Sequence, residues 1–234
     1  MFKLDSRLMA CAEFINSESI VDVGTDHAKL PIWLIKNNII KFAYACDINK
    51  FSLEKSKKNI QKYNLDEKIK IFYSNGLSNV PENIAKTIVI AGLGGETIKN
   101  IVKNCTWNEK NKKNKKFILQ PTKYDHILRD FLLKNNFEII REKIVNHNRY
   151  NYTTILCEFL GKNYKNYKFD QLHAFLGKIP AHKTSIEYVK KNIRYLEKFL
   201  FGAKINKNTK YQIELESIIL DLKNFIKICE KNID

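Results

Sequence analysis

The chain has no CxxC pair, no apolar run near the roughly 20 residues that a membrane span needs, and far fewer acids than bases. Each shortage excludes something. The five cysteines (Cys11, Cys46, Cys105, Cys157, Cys229) are scattered and odd in number. They read as reduced core thiols, not as a disulfide framework or a zinc site. His126, His147, His173 and His182 show no ligand spacing, so no metal is expected. The opening MFKLDSRLMACAEFIN alternates polar and apolar residues with helical period and does not read as a secretory leader. A soluble, cytoplasmic protein without membrane contact is expected, and no protein partner can be inferred.

The acid deficit is 25 Asp and Glu against 41 Lys and Arg, a formal net charge of +16. An AT-rich coding bias accounts for the abundance of Lys, Asn, Ile, Phe and Tyr, but does not force the excess of cations. Two readings stand: a polyanionic partner, nucleic acid first among them, or compositional drift. KNKKNKK at 110–116 divides in the same way, between a solvated loop and a phosphate contact. With 234 residues, 44% of them hydrophobic, the chain suits one main domain with an appendage.

Apolar spacing predicts a helix over 4–16, with Leu4, Leu8, Cys11, Ala12 and Ile15 on one face. Strands are predicted at 20–23, 43–46, 69–73, 87–91 and 117–119, and helices at 28–37, 52–63, 96–104 and 124–135. Such alternation implies βαβ crossovers and a parallel, doubly wound sheet. The rhythm breaks at 137–145 and 152–159, two strand-like runs joined through 146–151 with no helix between. They read as a hairpin that sets one strand antiparallel. The fold class is therefore α/β, Rossmann-like, with a mostly parallel sheet closed by an antiparallel hairpin. This layout resembles class I S-adenosylmethionine (SAM)-dependent methyltransferases more than the plain NAD-binding fold.

Residues 161–183 read as a basic linker carrying Lys162, Lys165, Lys168, Lys178 and Lys183. Thr184 and Glu187 then suggest a capping box. Ile186, Val189, Ile193, Leu196 and Leu200 form a heptad seam that Gly202 should end. A second cap is suggested at 209–212, followed by a seam of Tyr211, Leu215, Ile218, Leu222, Phe225 and Cys229. The division is 1–160 catalytic domain, 161–183 linker and 184–234 coiled-coil-like helical hairpin. Two ordinary helices folded back on the sheet remain the alternative. In both readings Lys190, Lys191, Arg194 and Lys198 lie off the seam as a basic face.

In an open α/β sheet the ligand sits beyond the carboxyl ends of the strands. The first strand runs into VDVGTDHAKLP at 21–31, beginning with Val21, Asp22, Val23 and Gly24. Gly24 permits positive φ or a close backbone approach. The dinucleotide fingerprint needs two further glycines, and Asp26 stands where the second belongs. A carboxylate repels a pyrophosphate but suits a cationic ligand without phosphate, as SAM is. Asp26 is equally a helix N-cap, and the two roles are compatible. Asp47, at the next strand end before Ile48, is placed to hold ribose hydroxyls. Asn75–Gly76 offers an amide to an adenine or simply a turn. Ala91, Gly92 and Leu93, within IAGLGG, leave room for a flat ligand or only ease a loop. Gln120 and Pro121 close the fifth strand, and Gln both donates and accepts.

DVGTDHAKLP, IAGLGG and LQP, with Asp47 between the first two and Leu4-Asp5-Ser6-Arg7-Leu8 at the start, resemble the bacterial tRNA (adenine-22-N1)-methyltransferase family. The resemblance covers nearly the whole chain. It implies a class I fold, SAM as methyl donor, tRNA as partner, and transfer to N1 of a D-arm adenine. Gly24, Asp47, Asn75, Gly76, Ala91 and Gly92 would line the SAM pocket. Arg7, Asp26, His27, Gln120 and Tyr152 would face the target base. Asn75 stands where that family carries Asp, and Lys29 where an aromatic is common.

N1 of adenine has an in-plane lone pair, so alignment rather than a general base is expected to lower the barrier. The product base is cationic, and Asp26 is the candidate to stabilise the developing charge. His27 either positions the base or packs the turn. The [DN]PP[YF] segment of exocyclic-amine methyltransferases is absent, which favours a ring nitrogen. Other readings remain open: methylation of another RNA or position, or an RNA-binding protein with a degenerate cofactor fold.

Overall fold

The structure is a computed structural model that describes residues 2–161 and 171–232. Lys162, Lys165 and Lys168 of the predicted linker lie outside the described residues. In chain order the elements are α1 (Ser6–Ala12), β1 (Ser19–Val23), α2 (Lys29–Lys36), β2 (Phe42–Asp47), α3 (Lys50–Lys62), β3 (Ile69–Tyr73), β4 (Thr87–Leu93), α4 (Gly95–Lys103), α5 (Glu109–Lys113), β5 (Lys116–Pro121), α6 (Asp125–Lys134), β6 (Phe137–His147), β7 (Tyr150–Phe159), α7 (Gln171–Leu176), α8 (Ile186–Ile205) and α9 (Thr209–Lys231).

The strands form one sheet in the order β3-β2-β1-β4-β5-β7-β6. β1 to β5 pair in parallel and β7 runs antiparallel to both β5 and β6. The central strands are apolar on both faces because helices cover both. Ile20, Val89 and Ile118 pack with Leu30, Ile32, Leu34 and Ile60 on the side of α1, α2 and α3. Val21, Val23, Ile88, Ile90, Phe117 and Leu119 face Ile98, Val102, Leu128 and Leu132 of α4 and α6. The chain winds outward from β1 to β3, then returns to lay β4 on the other side of β1. That reversal opens a crevice at the carboxyl ends of β1 and β4.

The closing hairpin is tighter than its sequence suggests. β6 and β7 pair as far as His147 and Tyr150, leaving a two-residue turn with Asn148 at φ 55°, a conformation Asn tolerates better than most residues. The first helix is shorter than 4–16. The Asp5 carboxylate accepts the amides of Arg7 and Leu8, so the helix starts at Ser6. It ends as Phe14 and Ile15 turn their amides onto Cys11 and Ala12 and lead the chain into β1.

Four other expectations need correction. Thr184 and Glu187 form no capping box. His182 instead accepts the Thr184 amide, a 3-10 turn covers Lys183–Ser185, and the Ser185 hydroxyl donates to Pro180. Gly202 does not end α8, which continues to Ile205; the reversal comes at Lys207, with φ 51°. The side chain that caps α9 is Asn208, not Thr209. Part of the expected linker is helical, because α7 buries Ala174.

α8 and α9 pack on each other through Val189, Ile193, Leu196, Leu215, Ile218 and Leu222. At about 1.5 Å per residue they span roughly 30 and 35 Å. The base of α8 also docks on the sheet domain, where Tyr188 is wholly buried. It meets a charge cluster that no periodicity in the sequence announces. Arg129, fully buried, donates to Glu142 at 2.7 Å, to the Ala174 carbonyl at 3.1 Å and to the Tyr188 hydroxyl at 2.9 Å. The Tyr188 hydroxyl in turn donates to Asp125. Glu142 also accepts the Lys178 amide at 2.6 Å. Burial pushes the Asp125 carboxyl up, but Arg129 and the Tyr188 hydroxyl outweigh it and hold it below its ordinary value.

Candidate active site

The loop after β1 is built for a purpose other than chain reversal. Gly24 sits at φ 73°, and its amide and that of Thr25 both donate to the Cys46 carbonyl, at 2.8 and 3.1 Å. The Thr25 hydroxyl donates to Asp22 at 2.7 Å. Asp26, His27 and Ala28 follow at φ 24°, 64° and 53°. Three consecutive left-handed residues without a glycine cost about 1–2 kcal/mol each. The strain persists because neighbours fix it: Asn59 of α3 donates to the His27 carbonyl at 2.9 Å. Strain of this kind gathers at functional sites.

Asp26 caps nothing. Ala28 occupies the N-cap of α2 and no side chain bonds that terminus. The Asp26 side chain is 68% exposed, and its only ion pair among the described residues is with His27 at 3.3 Å. The cap reading of Asp26 is therefore removed.

A cavity of about 490 Å³ occupies the crevice. It collects the ends of the first five strands: Asp22 and Gly24 from β1, Asp47 and Ile48 after β2, Asn75 and Gly76 after β3, Ala91, Gly92 and Leu93 from β4, and Gln120 from β5. Asp5, Arg7, Asp26 and Lys29 are among the other residues that line it. The Ser74 amide donates to the Asp47 carbonyl at 3.0 Å, which holds two of these strand ends together. One carboxylate oxygen of Asp47 accepts the Asn49 amide at 2.9 Å. Asp22 lies buried, and burial pushes its pKa up to about 6, the nearby Asp47 adding to the effect while Thr25 opposes it. Arg7 pairs with Asp5 at 3.0 Å. Its Nε is buried and has no hydrogen-bond partner among the described residues.

Gln120 is not a free reader of a ligand edge. Its Oε1 accepts the Gly92 amide at 3.1 Å and its Nε2 donates to the Pro121 carbonyl at 2.9 Å. It braces the β4 and β5 ends, with one N–H and one lone pair in reserve. His27 and Pro121 do not line the cavity, and Tyr152 and Lys191 line a neighbouring one. Lys190, Lys191 and Arg194 are exposed along α8, and Lys190 pairs with Glu187 at 2.9 Å. Within the basic run at 110–116, Lys115 is buried, donating to the Ala85 carbonyl at 2.5 Å and lying over the Trp107 ring. That lysine is a structural brace.

No group of His, Cys, Asp and Glu suited to a metal occurs among the described residues, and no described helix is long and apolar enough to cross a membrane. The cavity's chemistry argues for a cationic, phosphate-free ligand. Four carboxylates line it, Asp5, Asp22, Asp26 and Asp47, of which Asp5 is paired with Arg7, and the loop presents one glycine where a pyrophosphate cradle needs three.

Residues 4–155 match the methyltransferase-domain family, and the chain belongs to it. A putative tRNA methyltransferase of Mycoplasma genitalium, MG248, is 34% identical over 167 residues, which is 70% of this chain and 73% of that protein. The tRNA (adenine(22)-N(1))-methyltransferase of Bacillus subtilis is 30% identical over 157 residues, 67% of this chain and 65% of that one. The structure of M. capricolum TrmK with the cofactor product S-adenosyl-homocysteine superposes with a TM-score of 0.78 at 31% identity, covering 97% of this chain and 100% of the other. Within the methyltransferases, the chain is a member of the tRNA (adenine(22)-N(1))-methyltransferase family.

Proposed function

We propose that this protein transfers the methyl group of SAM to N1 of adenine 22 in tRNA. The observation that carries the reading is the single cavity uniting five strand ends, with Asp22, Asp26 and Asp47 around it and no phosphate cradle. Its match to relatives of that activity supports it.

The residues fit the cofactor. The free carboxylate oxygen of Asp47 takes ribose hydroxyls. Asn75 meets the adenine, Gly24 and Gly92 admit the ligand against the backbone, and Asp22 answers its cationic groups. SAM when bound supplies an electrophilic methyl on a sulfonium. The chain then has to align the target N1 and exclude competing geometries, since that nitrogen already carries its lone pair. Asp26, exposed and uncommitted to a helix cap, faces the charge that develops on the base and stabilises it. Arg7 holds the RNA side of the site. The N1 edge is hidden in a paired or stacked base, so the nucleotide enters extruded. The helical hairpin 184–234 serves as the tRNA-binding appendage, with Lys190, Lys191 and Arg194 against phosphates.

Nucleoside mass spectrometry of an unmodified tRNA treated with enzyme and SAM tests the reading. The product expected is 1-methyladenosine. N6-methyladenosine or a methylated guanosine contradicts it.

A further inference from the structure

A second cavity, of about 340 Å³, opens beside the first and shares no lining residue with it. It lies where the β5 end, the β6–β7 turn and α8 meet. Five rings face it: Tyr124, His126, Tyr150, Tyr152 and Tyr195. Lys123 and Lys191 line it too. The one acid in the lining, Asp125, is already engaged with Arg129 and the Tyr188 hydroxyl. The cavity therefore combines aromatic faces with net positive charge.

The rings are ordered before any ligand arrives. His126 stacks on Phe175 with centroids 4.9 Å apart and planes at 12°. Tyr195 lies 4.8 Å from His126, and Phe199 continues the series 4.8 Å farther along α8. A cluster that only sealed the hairpin to the sheet would bury its rings, yet Tyr124 and Tyr150 are 42% and 54% exposed. Tyr124 is also held in a left-handed conformation, φ 58°. A Cβ on Gly95 would stand 2.2 Å from the Tyr124 carbonyl oxygen, so this backbone position requires glycine opposite it. The fold maintains a strained residue to present that ring.

The two cavities share a wall. The Arg7 guanidinium carbon lies 5.5 Å from the centre of the Tyr152 ring; Arg7 lines the first cavity and Tyr152 the second. Stacking platforms interleaved with cations are what a single nucleic-acid strand needs, because every base has a π-face and every linkage a charge.

We propose that the second cavity receives a nucleotide flanking the methylated adenosine, its base stacked among Tyr124, Tyr150 and Tyr195 and its phosphate against Lys123 and Lys191. The inference rests on the reading of tRNA as substrate and adds a subsite that holds the strand while the neighbouring adenine is extruded.

The test uses the full chain and unmodified tRNA transcripts carrying 2-aminopurine either beside the methylated position or at it. Wild-type enzyme is expected to change the fluorescence of a flanking probe on binding. Tyr195→Ala should abolish that change, raise Kd and KM for tRNA roughly tenfold, and leave SAM affinity and kcat near wild type. Tyr195→Phe should behave as wild type, since stacking needs the ring and not the hydroxyl. Equal loss in Tyr195→Phe and Tyr195→Ala overturns the inference, as does an unchanged Kd in Tyr195→Ala at an unchanged melting temperature. A Tyr195→Ala effect confined to the probe at the methylated position also overturns it, because the cavity would then hold the target base. Binding is read without methyl transfer. A wild type that binds through these rings but yields no 1-methyladenosine therefore refutes the proposed function and not this subsite.

Discussion

Arg129 donates to the hydroxyl of Tyr188 across 2.9 Å, both residues fully buried, and this bond ties α6 of the sheet domain to the base of the helical hairpin. Arg129→Met leaves Asp125 and Glu142 buried without their cation and should cost about 3–5 kcal/mol of stability. Tyr188→Phe removes one shared hydroxyl and should cost about 1–3 kcal/mol. Urea denaturation followed by circular dichroism checks both. A loss below about 1 kcal/mol for Arg129→Met would show that the cluster is not holding the two parts together.

Asp47 is the candidate ribose ligand. Asp47→Ala should weaken SAM binding by about tenfold to a hundredfold, the equivalent of losing charge-assisted hydrogen bonds. Calorimetry with SAM reads this directly. Unaltered affinity would remove Asp47 from the cofactor site.

Asp22 makes the site pH-dependent in a definite direction. Its folded pKa of about 6 lies above the ordinary carboxyl value of 3.8, so the folded state holds the proton more tightly than the unfolded one. Stability is thus favoured at low pH by this group and declines as pH rises from about 4 to 6. Asp22→Asn should remove that decline and raise the melting temperature at pH 8. SAM affinity should move oppositely in the wild type, weakening below pH 6 as the carboxylate protonates, and Asp22→Asn should flatten it. A wild-type affinity that is constant from pH 5 to 8 would contradict the assignment.

The βα alternation, the closing hairpin and most of the two apolar seams were legible because each depends on local periodicity; Tyr211, read into the second seam, is instead exposed. The strand ends were legible for the same reason: a parallel sheet delivers Asp22, Asp47, Asn75, Gly92 and Gln120 to one rim whatever the loop details. What escaped depends on which of several competing contacts wins, some of them between residues distant in sequence. Thr184 looked like a helix cap, but His182 reaches its amide first. Gly202 looked like a stop, but an isolated glycine costs a packed helix only about 1 kcal/mol. Of the two compatible roles read for Asp26, the cap fails because a left-handed loop fixed by Asn59 turns it outward. Arg129 assembles its cluster from β6, α7 and α8, and the second cavity draws on as many elements. No window of the sequence contains either.

Binding of tRNA should depend steeply on salt. Exposed Lys190, Lys191 and Arg194 on α8 release counterions with each phosphate contact. Affinity measured by filter binding should fall at least tenfold between 50 and 200 mM salt, and a triple alanine variant should show a shallower slope. A flat wild-type profile would exclude this face as an RNA contact.

With no helix end to protect, Asp26→Asn should keep the wild-type melting temperature and SAM affinity while slowing methyl transfer about tenfold to a hundredfold in single-turnover kinetics. Unchanged turnover would take the carboxylate out of the chemistry.

The most direct measurement compares methyl incorporation from labelled SAM into two unmodified tRNA transcripts that differ only in adenine 22 replaced by guanine. Stoichiometric incorporation into the first and none into the second is the predicted result. Equal incorporation into both would contradict the account.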